Sequence, residues 1–299
     1  MTNPASWPSL ADQLTIAESL FGFDGQQRVA AWLDEQEGLI DNADFAHSFA
    51  DHIDLPGVGL FDYAHRYVRS SGGAALGGIR FYNRNIERPF VEVIVHSFSD
   101  IDALRDCVRV EWSAFSPQFT RLRMRPGHLV VAGARVHKSI YVGRYSELQP
   151  SDGRVSLDRF DNPETAIGIV ACRYDRLKSD NPPLARMLSA ASPEELLEWY
   201  DADQLRAIRT NGTTVGVLAI APSEIGWIEG DEVGEEVIDA DHNGRGYAAA
   251  AQSVWAGQVT CNRNSLLIGT IHDGNDASRK TAESVGRRRV LDDYVVELR

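Results

Sequence analysis

The sequence predicts an α+β protein built on a mixed sheet and organised as two halves, residues 1–150 and 151–299. Three observations carry that expectation. Apolar residues at helical spacing near the start give way to short-period β runs from Val58 onward. A polar, turn-rich break stands at Gln149-Pro150-Ser151-Asp152-Gly153. Later, a strand over Glu232 to Asp239 runs into Gly244-Arg245-Gly246 and a run of alanines, so strand, tight loop and helix follow without spare residues.

In the first half, Leu10, Leu14, Ala17 and Leu20, then Val29, Trp32 and Leu33, then Phe45, Phe49 and Ile53 mark amphipathic helices. Leu60 to Arg69, Leu76 to Tyr82 and Phe90 to His96 are apolar, β-branched and aromatic runs separated by turns, which reads as an antiparallel meander. Ser99 or Asp100 then caps a helix with Ile101, Leu104, Val108, Trp112 and Phe115 on one face. Phe119 to Met124 returns as a strand, followed by β-like runs at Leu129 to Val131 and Ser139 to Val142. Tyr63, His65, Tyr67, Tyr82 and His96 read as core or face residues of these strands rather than as a site.

In the second half, Val155 to Phe160 alternates as a short strand, and Asn162-Pro163 starts a helix with a cap and a first-turn proline. Ser192 and Glu195 form a capping box ahead of Leu196. Asn211-Gly212 between Leu205 to Arg209 and Thr214 to Ile220 signals a hairpin. The Glu232 strand, the glycine loop, a helix to about Gln258, a strand over Ser265 to Ile271, a helix from Asn275 to Val285 and a strand over Val290 to Leu298 complete the chain.

A net charge of −13 and a pI near 5.1 argue against a nucleic-acid partner, whose phosphates are bound largely by lysine and arginine. A cationic or amine-bearing substrate suits that field better. Cys107, Cys172 and Cys261 are scattered, with no C-x-x-C and no histidine at metal-ligand spacing, so no metal is expected and the thiols read as reduced and mostly buried. With neither a leader-like start nor an apolar run of spanning length, the expectation is a cytoplasmic protein without a membrane partner.

The glycine loop is built as an anion cradle. Gly244 and Gly246 allow a tight turn and close approach of a ligand, and the first amides of the helix from Tyr247 have no intrahelical acceptor. Those donors and the helix dipole favour an anion such as a pyrophosphate, to which Arg245 adds charge. The bland alternative is a strand-to-helix turn in which glycine serves geometry alone. Gly244-x-Gly246-x-x-Ala249 also fits a dinucleotide fingerprint, but too few residues follow to complete a doubly wound domain.

Asn243-Gly244-Arg245-Gly246-Tyr247-Ala248 resembles the acyl-CoA loop of the GNAT N-acetyltransferases, Q/R-x-x-G-x-G/A. The downstream Asn275, Ser278 and Gly286 resemble that family's next helix, with its N-x-x-S start and closing glycine. The resemblance implies a GNAT acyl-CoA acyltransferase fold in residues 151–299; because the element order repeats, the first half is read either as a degenerate second GNAT-like half in a tandem arrangement or as an unrelated α+β domain whose strand order coincides. That half has Ser97-Phe98-Ser99-Asp100 where a phosphate loop needs its glycines. It further implies acetyl-CoA as acyl donor, in a gap between two splayed strands. Backbone groups of Val237 and Ile238 would hold the pantetheine, Gly244 to Ala248 the pyrophosphate, and Asn275 with Ser278 the opposite side. Two departures matter. Asn243 shortens the usual Gln or Arg, and Ala282 replaces the tyrosine that many members use as general acid.

An attacking amine needs a proton acceptor, and Glu235, Glu236 and His272 qualify. Neighbouring strand residues face opposite sides, so only one glutamate is expected to reach the cleft. Tyr247 is a candidate donor to the thiolate. The expected function is acetyl transfer to a primary amine of a small molecule. The alternatives are a silent acyl-CoA-binding protein and an N-terminal acetyltransferase, and a homodimer is left open.

Overall fold

The computed structural model describes residues 3–53, 55–259 and 263–298, which form two compact units. Unit 1 is Met1–Lys138 with Val290–Arg299, and unit 2 is Ser139–Arg289. The division falls before the expected break near residue 150, and the last residues, from Val290, belong to the first unit.

Unit 1 opens with α1 (Ala11–Phe21), α2 (Gly25–Glu37) and α3 (Ala43–Ala50). There follow β1 (Arg66–Ser70), β2 (Gly73–Phe81), β3 (Pro89–His96), α4 (Ile101–Glu111), β4 (Phe119–Met124) and β5 (Ala134–Arg144), which leads into unit 2. Unit 2 continues with β6 (Ser156–Asp158), α5 (Pro163–Asp180), α6 (Pro182–Ala185), α7 (Pro193–Asp201), β7 (Leu205–Thr210), β8 (Thr213–Ile225) and β9 (Ile228–Ile238). It is completed by α8 (Tyr247–Gln258), β10 (Leu266–His272) and α9 (Asp276–Val285), after which β11 (Arg288–Glu297) rejoins unit 1. The caps read from sequence are formed: Asn162 accepts from Thr165 N at 3.1 Å, and Ser192 with Glu195 makes the reciprocal box that starts α7.

In unit 1 the strand order is β1-β2-β3-β4-β11, with β1 to β3 an antiparallel meander and β3 parallel to β4. Apolar residues of one sheet face, including Ile79, Val91 and Val296, pack with Leu104 and Trp112 to form its core. In unit 2 the order is β5-β10-β9-β8-β7-β6, again an antiparallel run ending in a parallel β9–β10 pair. One side of that sheet packs Leu196, Val217 and Val237 with α5 and α7, and the other packs Leu218, Ala251 and Leu267 with α8.

The two units repeat one device. In unit 2 the β8–β9 ladder slips, with Ala219 opposite Glu235 but Ile220 opposite Val233, so Gly234 is an extra residue. In unit 1 the β2–β3 ladder slips in the same way, and Ile94 is the extra residue between Val93 and Val95. Such a bulge bends its strand and sharpens the twist. Correspondingly, β3 pairs with β4 only from Phe90 to Glu92, and β9 with β10 only at Asp231 and Glu232. Beyond those residues each strand pair parts.

Unit 1 closes its parting with its own chain. Ser97 N donates to Ala74 O of β2, so alternation turns the preceding amide away from β2, and His96 N is taken by Ser9 Oγ at 2.8 Å. Asp12 of α1 holds His128 at 2.6 Å just past β4. The start of α4 is capped by Asp100, which accepts from Asp102 N at 3.0 Å, while Phe98 packs against Gly72 and Gly73. A carboxylate thus stands where an anion would have to bind. Tyr63 donates to Ile53 O and His65 is fully buried beside Arg80, so both are core residues as read. Cys107 is buried as expected, Cys172 is exposed because it lies on the outer face of α5, and Cys261 lies outside the described residues.

Candidate functional site

The parting in unit 2 stays open. It forms a cleft of about 590 Å³ walled by the ends of β9 and β10, the glycine loop, α5 and the start of α9. Gly234 is required at its bend, because a Cβ there would stand 2.7 Å from Cζ2 of Trp199 on α7. Asp239 N donates to Val215 O, so alternation along β9 directs the peptide groups of Val237 toward β8 and those of Glu236 and Ile238 toward the gap. Of the two residues expected to offer backbone groups, Ile238 faces the opening. Val237 borders the cleft as well, but its backbone is directed to the β8 ladder and its side chain packs into the core.

Next to this edge, Gly244 and Gly246 take φ values of +74° and +73°, the left-handed region that glycine enters without strain. Gly246 is the N-cap of α8 and supplies no capping side chain, so the first helix amides stay available for an outside acceptor. A Cβ on Gly244 would meet nothing within 4 Å, which leaves its outer side open. Arg154 Nη1 donates to Arg245 O at 3.2 Å and braces the loop, and the exposed Arg245 reaches Asp241 O at 3.4 Å. Asn243, Tyr247 and Ala248 line the same opening. The geometry therefore fits the diphosphate that the sequence motif calls for.

Both glutamates line the cleft, from opposite faces of β9, so the expectation that only one would do so is corrected. The bulge at Gly234 and the loss of the β10 partner expose both sides of the strand end. Glu235 accepts from Ala191 N at 2.9 Å, from Glu236 N at 3.1 Å and from the Tyr174 hydroxyl at 3.4 Å. Burial raises its pKa against the lowering effect of those donors. Its carboxylate thus covers the Glu236 amide, one of the donors that face the gap. Glu236 points to α8, where Gln252 Nε2 lies 3.0 Å from each carboxylate oxygen, and burial raises its pKa too. His272 is not among the cleft residues: β10 ends with it on the far side of Thr270 and Ile271, which do line the opening.

Asn275 and Ser278 line the cleft, but the Asn275 side chain also caps α9 by accepting from Ser278 N at 3.2 Å. Ala282 is fully buried against Tyr141 and Ile271, so no donor can stand where a general acid was looked for. Sequence reasoning missed Tyr174, Arg173, His242, Gln252 and Arg287, all within or beside this cleft. Val170, Tyr174 and Leu177 recur at helical spacing, and a tyrosine on such an inward face needs a hydroxyl partner, a signal that was there to be read.

From β6 onward, a strand, three helices of which α6 is a single turn, three antiparallel strands, a helix, a strand and a helix, with a bulged strand parting from its neighbour beside a glycine-made helix start, give unit 2 a GNAT-like fold. Unit 1 repeats its meander, bulge, helix and parallel strand. Among solved structures it is similar to a GNAT-family acetyltransferase from Colwellia psychrerythraea, with 10% identity and a TM-score of 0.47 over 87% of this chain and 97% of that one. It is similar to a GCN5-related N-acetyltransferase from Sphaerobacter thermophilus, with 13% identity and a TM-score of 0.47 over 100% and 94%. A tandem GNAT protein from the clavulanic acid biosynthesis pathway shows 13% identity and a TM-score of 0.39 over 91% and 95%. No protein-family description and no curated protein matches the chain. Among the described residues, no helix is long and apolar enough to cross a membrane.

Proposed function

We propose that unit 2 transfers an acyl group, acetyl in the simplest case, from a CoA thioester to the primary amine of a small molecule. The observation that carries this reading is the coincidence of three features in one cleft: an unpaired strand edge, a helix start with free amides, and two carboxyls of raised pKa.

The α8 start would receive the diphosphate and the Ile238 edge the pantetheine, while Asn275 and Ser278 line the other side. Glu235 is the better proton acceptor of the two carboxyls. It lies on the α5 side with Tyr174, Leu177, Leu184 and Leu188, a wall suited to a small amine with an apolar portion. Desolvation keeps its basicity above that of an ordinary carboxylate, as a base for an ammonium requires. Once it swings to the amine, the Glu236 amide is released to donate a hydrogen bond to the thioester oxygen, where charge develops during attack.

CoA binding measured by calorimetry, followed by CoA release from acetyl-CoA with a panel of amines, tests the proposal. Turnover with at least one small amine, lost in Glu235→Gln, is expected. The sealed Ala282 and the short Asn243 favour a second reading, an acyl-CoA binder without turnover. Tight binding with no release on any amine would establish it instead.

A further inference from the structure

We propose that Arg287 is a catalytic residue of this cleft, the cation that faces the sulfur of the departing thiolate; this rests on the acyl-transfer reading above. Arg287 follows the left-handed Gly286 at the end of α9, and its amide is fixed to Ala282 O at 2.8 Å. Its side chain is 4% exposed and yet lines the cleft. Two glycines make room for it: a Cβ on Gly143 would stand 3.2 Å from Arg287 Cγ, and one on Gly269 would stand 2.9 Å from Nη1. Nη1 donates to Ile268 O at 3.3 Å, and Ile268 is the last residue of β10 opposite β9, so the guanidinium stands where the two strands part.

A buried guanidinium ordinarily has its donors filled, because an unpaired buried charge is costly. Here Nε is buried without a hydrogen-bond partner among the described residues, and no carboxylate lies within ion-pairing distance. Glu236 acts on it only through the field, and burial lowers the guanidinium pKa to about 10. The group therefore stays charged at neutral pH with donors to spare, beside the edge where the thioester would lie. A thiol with a pKa of about 8.5 is the stronger acid of the two, so Arg287 acts as a cation and keeps its proton.

The step balances without a separate acid. The amine nitrogen attacks the thioester carbon, the C–S bond breaks, and its electron pair stays on sulfur. The ammonium's first proton passes through the Glu235 carboxylate to bulk water before attack, and the second passes from the nitrogen of the tetrahedral intermediate to the same carboxylate. Sulfur leaves as a thiolate opposite Arg287 and takes a proton from water after release. With Ala282 sealed under Tyr141, a cation in this place supplies what that helix cannot.

The test is the titration of the thiol of bound CoA, read from ultraviolet thiolate absorbance, in the wild type, Arg287→Lys and Arg287→Gln. In the wild type the bound thiol should ionise about one pH unit or more below free CoA, the lowering a nearby cation gives. The shift should vanish in Arg287→Gln and persist in part in Arg287→Lys. In turnover, Arg287→Gln should lose on the order of 100-fold in kcat, as for one lost donor to a developing charge. Its KM for acyl-CoA should change by less than about 3-fold, since the interaction belongs to the transition state. A bound thiol that titrates like free CoA in the folded wild type overturns the assignment, as does Arg287→Gln with full kcat. Should Arg287→Gln fail to fold, the wild-type titration and the Lys variant decide. CoA that does not bind overturns the acyl-transfer reading itself; CoA that binds with an unshifted thiol removes only the role of Arg287.

Discussion

The helix start at Gly246 allows the sharpest test of the cradle. Gly246→Ala asks a residue with a Cβ to hold φ near +73°, which costs about 1–2 kcal/mol. The new Cβ would lie 3.4 Å from Arg154 Nη1, the end of an exposed side chain that can move aside, so strain rather than collision sets the magnitude. In the free protein the loop can relax that strain by turning Gly246 out of the left-handed region, which takes the helix amides off the diphosphate. Binding must then restore the strained form, and CoA affinity should fall about 5- to 30-fold. Calorimetric titration with CoA, with Tm measured in parallel, reads both consequences. Gly257→Ala, in the same helix with open space around its Cβ and no positive φ, is the control and should raise Tm while leaving affinity unchanged. If Gly246→Ala lowers Tm but binds CoA as tightly as the wild type, the α8 amides do not hold the diphosphate.

Glu236→Gln should keep the fold, because the Gln252 carbonyl, now without a partner, gains a donor. The folded pKa of Glu236 is raised, so its contribution to stability is complete below the unfolded value and is lost as pH rises through the folded one; Tm measured against pH should decline less for the variant from the ordinary glutamate range upward. Glu92 shows the opposite sign: burial pushes it up, but Arg121 and Arg80 prevail and hold it to about 2, so its stabilisation is present above the unfolded value and is lost as pH falls toward 2. Arg121→Met should therefore destabilise unit 1 by about 3 kcal/mol in denaturant titration and move acid unfolding to higher pH. Ala282→Tyr should not create a general acid; the site is filled by Tyr141 and Ile271, and about 1–3 kcal/mol of stability should be lost with no gain in kcat.

The glycine loop, both capped helix starts and the element order of the second half were legible because each is local: a cap, a turn or a period can be read within a few residues. The site was half legible for the same reason. The α8 start is continuous in sequence, and the structure places Gly244, Gly246 and Tyr247 together as expected. Arg287, Gln252 and Tyr174 come from three other elements, and only long-range pairing brings them to the cleft. The bulge at Gly234 was hidden because the extra residue appears only when β8 is set beside β9. It is also what undid the argument from alternation that allowed one glutamate to reach the cleft. The polar stretch at Gln149 to Gly153 is a local break in the chain, while the division into compact units falls between Lys138 and Ser139, where no turn signal stands.

The route of the backbone bears on how this protein can be made. β11 completes the first sheet but is written after the whole of unit 2, and β5 begins in unit 1 and ends in unit 2. On the ribosome, the edge of β4 must therefore wait, uncovered, until nearly all the chain has emerged. A gene cut at residue 150 would release two fragments, one carrying a strand it cannot use and the other lacking the same strand, and each would expose a sheet edge able to pair with other chains.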